Sequence, residues 1–291
     1  MSKTISLVLG SGGARGLAHI GIIHWLEEHG YEIKSISSCS IGAAVGGAYA
    51  AGQLQGFETW IRSFDRKDVF SMMDFVLSKD GFVKGDKIMS AINEIIGSKN
   101  IEELDIKFTA VAADIAKEEE VWINSGPIND AIRASISLPL FFTPFEHSGR
   151  PLIDGGILNP TPTEPVANDE TDMMIAVNLG GKPLPELDDK EEDEDEDSFF
   201  FKKYNEFLER LDWGKKETKK EWDLYYILDQ SFNSMQNTIA AQKMKIHRPD
   251  ILIDIPRNKC GTLEFDRANE MIDYGYEMAE KVLEEKLSKL S

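Results

Sequence analysis

Two short stretches near the start of the chain hold residues that can do chemistry. The first, Gly10-Ser11-Gly12-Gly13-Ala14-Arg15-Gly16, follows the apolar run Ile5 to Leu9. The second is Ser38-Cys39-Ser40-Ile41-Gly42. Glycine amides approach a ligand closely and tolerate positive φ. A glycine loop that opens a helix also presents unpaired N–H groups. Three chemistries use such a loop. A Walker A loop needs Lys-Ser or Lys-Thr after its last glycine, and here Gly16 is followed by Leu17, which excludes it. A dinucleotide loop fits Gly10, Gly12 and Gly16 loosely, but it predicts an acid at the end of the second strand. The sequence has Ser37-Ser38-Cys39-Ser40 there. An oxyanion hole beside a nucleophile elbow accounts for both stretches together. It sets a serine on the second turn beside the donors of the first, as acyl transfer requires.

The elements that must position these residues follow from apolar patterning and punctuation. The run Ile5 to Leu9 reads as a strand, and a helix follows from near Leu17 to Gly30. A second unit repeats the plan: a strand around Lys34 to Ser37, a sharp turn at Ser40, and a small-residue helix from Gly42 to Ala51. Residues 53 to 105 read as helical insertions, in which Trp60, Ile61, Phe64, Val69, Phe70, Phe75 and Val76 are core or pocket lining. Strands are expected at Ile106 to Ala113 and Val121 to Asn124, then a helix opening at Pro127 with Ser125 as its cap. Phe141 and Phe142 follow it, as core or as pocket wall. The short strand Pro151 to Ile153 delivers Asp154, and Gly155-Gly156 turns the backbone sharply to expose the carboxylate. On its own such an aspartate is equally a turn former. A buried strand, Met173 to Leu179, comes next. Helices near Phe199 to Trp213 and Glu217 to Lys245, a strand at Ile251 to Ile255 and a last helix from Asp266 toward Leu290 complete the chain. The alternation predicts an α/β fold, a mostly parallel central sheet with helices on both faces.

Four blocks stand in order: the glycine loop 10–16, the elbow 38–42, Ala134-Ser135-Ile136-Ser137-Leu138-Pro139 with Phe142 and Pro144, and Asp154-Gly155-Gly156. In order and spacing they resemble the patatin-like phospholipases, bacterial-type serine esterases. The resemblance implies a lipid acyl hydrolase working through a Ser–Asp dyad, with Ser40 as nucleophile and Asp154 as base. It implies an oxyanion hole from the amides of Gly12, Gly13 and Ala14. Gly10, Arg15, Gly16, Gly42, Gly155 and Gly156 support these motifs; Arg15 either binds a lipid phosphate or fixes the loop. It implies phospholipid, lysophospholipid or other fatty-acyl ester substrates and no metal or organic cofactor. The alternative is a non-catalytic nucleotide- or lipid-binding module on the same scaffold. One position departs from the family: Ser38 stands where the elbow usually has glycine. The expectation is that Ser38 crowds the turn and that Ser38→Gly maintains or raises activity. His19 and His24 lie beside the apolar stripe of the first helix, but no third group marks either as a base.

Composition bounds the remaining choices. Lys and Arg number 32 against 51 Asp and Glu, a net charge of −19, which argues against a nucleic-acid partner. Cys39 and Cys260 give neither a disulfide framework nor metal-ligand spacing. The strand at Ile5 leaves no room for a signal peptide before it, and no stretch reaches transmembrane length. A cytoplasmic protein is expected. Nine of the ten residues from Asp188 to Asp197 are acidic, a self-repelling run that reads as a disordered loop. It divides the chain into a catalytic core, 1–187, the loop, 188–198, and a segment, 199–291, that completes the same domain. Just beyond the run, Phe200, Tyr204, Phe207, Leu208 and Leu211 recur at helical spacing among lysines. This pattern suits either core packing or transient peripheral contact with a membrane.

Overall fold

The structure, a computed structural model, describes residues 3–72, 86–139, 142–185 and 224–290. Strand β1 (Lys3–Leu9) alternates strictly: Ile5, Leu7 and Leu9 point to one face of the sheet, Ser6 and Val8 to the other. It passes through a 3-10 turn, Gly13–Leu17, into α1 (Ala18–Glu28). Strand β2 (Tyr31–Cys39) is longer than its apolar content suggests, because β1 and β3 (Lys107–Asp114) pair with it in parallel on both sides. Ser35, Ser37 and Ser38 are thereby buried in a central strand, where propensity alone would not place them. Between β2 and β3 come α2 (Ile41–Ala50), α3 (Leu54–Arg62), α4 (Arg66–Met72) and α5 (Asp86–Ile96).

Strand β4 (Glu119–Ile123) returns antiparallel along β3 and leads to α6 (Ile128–Ser135). Pro127 is the N-cap of α6, with no side-chain cap, so Ser125 does not cap this helix as expected. The hairpin β5 (Phe145–His147) and β6 (Arg150–Asp154) joins the sheet through antiparallel pairing of β6 with β3. Strand β7 (Met173–Gly181) pairs in parallel with β1, and β8 (Ile251–Pro256) pairs in parallel with β7. Between those two strands runs α7 (Leu224–Ile246), and α8 (Ala268–Leu290) follows β8. The sheet order is β5-β6-β3-β2-β1-β7-β8, with β4 on β3. The fold is therefore α/β, with a mostly parallel sheet and helices flanking it.

The main core gathers Leu7, Leu9, Val177 and Ile253 from the sheet with α1, α2 and α8. On the opposite face Val8 and Ala176 pack under Val166. That second face also carries Asn178 and Gly180 of β7, against which α7 lies. Among the described residues no helix is long and apolar enough to cross a membrane. The acidic run, the aromatic and basic segment 199–213, Phe75, Val76 and Phe141 lie outside the described residues.

Candidate active site

Ser40 sits on the joint between β2 and α2, with φ 57° and ψ −126°. A non-glycine residue in this region costs about 1–3 kcal/mol and persists only where its surroundings enforce it. Here the enforcement is close packing. A Cβ on Gly42 would stand 2.2 Å from the Leu9 carbonyl oxygen, so only glycine lets α2 descend onto β1. The Ser40 amide donates to Ser135 Oγ (2.9 Å), and that hydroxyl donates to Val111 O (2.7 Å). The elbow is thus tied to α6 and β3 at once. Ser135 lies in a block the sequence singles out, but nothing in the block marks which residue reaches the elbow.

Asp154 ends β6, fully buried, with its Cα opposite Ala112 of β3. Its amide donates to Ser137 O (2.9 Å). The fold closes the separation of 114 positions between the two side chains to one contact: Ser40 Oγ donates to Asp154 Oδ2 at 2.5 Å. The other carboxylate oxygen, Oδ1, accepts the Gly156 amide at 2.7 Å, and the Cys39 thiol lies 3.8 Å from it. Burial raises the Asp154 pKa to about 6, outweighing the opposing hydrogen bonds from Ser40, Gly156 and Cys39. The carboxylate is ionised at neutral pH, yet far more basic than an exposed aspartate. Its charge and burial in turn push the Cys39 thiol well up, leaving it protonated and inert.

The glycine loop is held from three directions. Gly10 donates to Val177 O (3.1 Å), Ser11 to Pro160 O (2.7 Å) and Ala14 to Thr262 O (2.9 Å). Gly13 has φ +59°, and a Cβ there would stand 2.3 Å from that same Thr262 oxygen. The Ala14 amide, expected as an oxyanion donor, is therefore spent on Thr262; Gly12 and Gly13 open the following 3-10 turn, where the first N–H groups have no intrahelical partner. Arg15 is 5% exposed and donates to Leu179 O (3.2 Å) and Cys260 O (3.1 Å). These contacts are those of a residue that fixes the loop. Gly16 packs against Ile41, and Gly155 against the Val111 carbonyl.

Ser38 does not crowd the turn. It lies inside β2, fully buried, and its hydroxyl donates to Thr109 O at 3.1 Å. The extra side chain is accommodated by a strand carbonyl of β3, which removes the reason for expecting Ser38→Gly to improve the site. His19 is buried and its Nε2 bonds Gly10 O (2.9 Å). Burial lowers its pKa to about 4, so the ring is neutral and Nε2–H is the donor. His24 pairs with Glu58 at 2.6 Å. Neither histidine is hydrogen-bonded to Ser40 or Asp154.

Ser40 and Gly13 border an apolar cavity of about 140 Å³. Its walls come from α2 to α5 and the segment after α6: Phe57, Trp60, Phe64, Ile92, Leu138 and Phe142 among them, with Phe265 from the turn before α8. Trp60 meets the Phe64 ring edge-on at 4.8 Å. Trp60, Ile61, Phe64 and Val69 thus line the pocket, as the insertion's aromatic content suggested.

Comparison with known proteins identifies the family. A family model described as patatin-like phospholipase matches residues 7–167, and the chain belongs to that family. An uncharacterized NTE family protein of Mycobacterium bovis is 33% identical over 331 aligned positions, covering 97% of this chain and 92% of the relative. Lysophospholipase NTE1 of Cryptococcus neoformans is 32% identical over 221 positions, covering 72% of this chain but 13% of the fungal protein. The crystal structure of VipD from Legionella pneumophila aligns at 15% identity with a TM-score of 0.48, covering 98% of this chain and 67% of that one.

Proposed function

We propose that the protein is a serine lipid acyl hydrolase that cleaves fatty-acyl esters of phospholipids or lysophospholipids through a Ser40–Asp154 dyad. The observation that carries this reading is the 2.5 Å hydrogen bond from Ser40 Oγ to Asp154 Oδ2 beside an apolar cavity. Family membership and the lysophospholipase among its relatives support a lipid substrate.

A serine hydroxyl needs a base to attack at neutral pH. Asp154 Oδ2 takes the Ser40 proton as Oγ adds to the ester carbonyl. The oxyanion of the tetrahedral intermediate faces the amides of Gly12 and Gly13, an arrangement whose single donors are worth roughly 3–4 kcal/mol in other enzymes. Asp154 returns the proton to the departing alkoxide, and an acyl-serine remains. Water then gives a proton to Asp154 and adds to the acyl carbonyl. As this second intermediate collapses, Asp154 returns that proton to Ser40 Oγ, which frees the fatty acid and restores both residues. The acyl chain lies in the cavity throughout, where its burial follows the hydrophobic effect.

Labelling with a fluorophosphonate followed by peptide mapping tests the proposal. The wild-type chain is expected to be modified at Ser40, and Ser40→Ala to be neither labelled nor active on a nitrophenyl ester. Full activity in Ser40→Ala, or labelling at another serine, rejects it.

A further inference from the structure

The glycine loop carries a side-chain contact that neither the dyad nor the oxyanion hole explains. Gly10 O accepts Nε2–H of His19, on α1, at 2.9 Å. His19 is fully buried, on a helix whose other buried side chains include Ile20, Ile22, Ile23 and Leu26. Its second ring nitrogen, Nδ1, is buried with no hydrogen-bond partner among the described residues. Burying a polar nitrogen unpaired costs free energy. An aliphatic residue like its neighbours would avoid that cost, but would leave Gly10 O without this donor. The ring therefore serves through Nε2–H, and because it is neutral it offers that donor without burying a charge.

The bond falls on one particular peptide group. The Gly10–Ser11 peptide gives its N–H to Pro160 O (2.7 Å) and receives His19 on its C=O. Held at both ends, it cannot turn about its long axis. The Gly10 amide, one peptide earlier, is fixed by Val177 O of β7 (3.1 Å). The next two peptide groups along the chain carry the amides of Gly12 and Gly13. Glycine itself limits the direction of those planes little, so their aim depends on the anchored group before them. The Gly10 oxygen also lies against the elbow, 3.0 Å from where a Cβ on Gly42 would stand. One side chain of α1 thus fixes the loop at the point where it meets the elbow.

We propose that His19 is a positioning residue, which through Gly10 O sets the direction of the Gly12 and Gly13 amides relative to Ser40. The inference rests on the hydrolase reading above and on the oxyanion role that reading gives those amides. It assigns no proton transfer to His19. Oxyanion donors act only when aimed at the place where charge develops. A misplacement of about 1 Å costs on the order of 10²-fold in rate. Without the imidazole, the Gly10–Ser11 peptide regains its rotation, and the two amides beyond it lose their fixed direction. The acyl chain lies in the apolar cavity on the other side of Ser40, so ground-state binding does not depend on this bond and the loss falls on kcat.

The test uses substitutions that differ in where a donor stands. His19→Gln carries an amide nitrogen about as far from the backbone as Nε2, His19→Asn carries the same amide one methylene short, and His19→Leu carries no donor. Rates are read well below each variant's melting midpoint. On a long-chain nitrophenyl ester, kcat is expected to fall roughly tenfold to a hundredfold in His19→Leu and His19→Asn, with KM within about twofold of wild type. His19→Gln is expected to recover to within about threefold of wild type. A trifluoromethyl ketone with the same acyl chain reads the oxyanion itself: Ser40 Oγ adds to its carbonyl, the serine proton passes to Asp154, and an anionic hemiketal remains. Its Ki is expected to weaken by the same factor as kcat/KM across the series. Folded His19→Leu protein with wild-type kcat and Ki overturns the proposal, as does a fall in kcat with Ki unchanged, the result expected if His19 acted on some other step. Should His19→Leu fail to fold, the Gln and Asn variants decide, and equal activity in the two overturns it. Fluorophosphonate labelling separates the two levels. Labelling of the wild type at Ser40 with no effect of the His19 substitutions rejects the His19 assignment alone; absence of labelling in the wild type rejects the hydrolase reading and this inference with it.

Discussion

Two hollows meet the glycine loop, and they differ in size, polarity and origin. The one at Gly13 and Ser40 is about 140 Å³, walled by aromatic and aliphatic side chains of α2 to α5 and of the segment after α6. The one at Ser11 is about 10 Å³, walled by the amides of α7 and the β7 edge of the loop. Asp154, buried behind Ser40, accepts from the Ser40 hydroxyl on Oδ2 and from the Gly156 amide on Oδ1. Burial raises the Asp154 pKa to about 6, while the Gly156 amide keeps the side chain aimed. A base near neutrality is the product of both.

The largest expected effects fall on the dyad. Ser40→Ala is expected to lower kcat by roughly 10⁴-fold or more on every ester, and Asp154→Asn by roughly 10²–10⁴-fold. Steady-state rates on a long-chain ester and on a nitrophenyl acetate check this. Loss on the long-chain ester alone would break the comparison, because it would remove the dyad from the chemistry and leave it a binding element.

The pH profile sharpens the same point. In the proposed role of base, Asp154 acts only when ionised, and its raised pKa of about 6 sets where that happens. kcat/KM for the free enzyme is expected to be flat above about pH 7 and to fall roughly tenfold for each unit below pH 6. A profile still flat at pH 5 would mean that the carboxylate is better solvated than its buried position implies.

Trp60→Ala tests the apolar hollow by itself. Removing the ring that packs edge-on against Phe64 is expected to lower kcat/KM severalfold to about tenfold on long-chain esters, with a much smaller effect on acetate. An equal loss on both would show that Trp60 supports Ser40 through packing rather than holding the acyl chain.

Ser38→Gly carries the smallest expected effect. It removes the hydrogen bond to Thr109 O and adds backbone freedom in a central strand, so about 1 kcal/mol of stability is expected to be lost. Activity is expected to fall no more than two- to threefold, since Ser40 is held independently by Ser135. Thermal melts and rates on one preparation read both. A rise in activity would restore the view that Ser38 strains the elbow.

Much of the molecule was legible from residue types because the relevant constraints are local. Alternation along Ile5 to Leu9 marks a half-sheet face, and the glycines at 10, 12, 13 and 16 mark a loop that approaches other backbone closely. Gly42 after Ser40 marks a helix that must start against a strand. The length of β2 beyond Lys34 to Ser37 was not legible, because Tyr31 to Ile33 are strand residues through pairing with β1, and Ser38 through neighbours on both sides. Nor was the fate of the Ala14 amide, taken by a carbonyl at position 262.

By itself the sequence determined the setting of the candidate nucleophile, the candidate carboxylate and the α/β plan, since each is written in short stretches with their own steric and hydrogen-bonding requirements. Only the tertiary structure decided that Ser40 and Asp154 touch, that Ser135 ties down the elbow, and that Ser38 is satisfied by Thr109. Those are contacts between residues tens to more than a hundred positions apart. They exist because strand pairing brings both β6 and β2 against β3. No periodicity or local spacing encodes a distance of that kind; the packing of the sheet sets it.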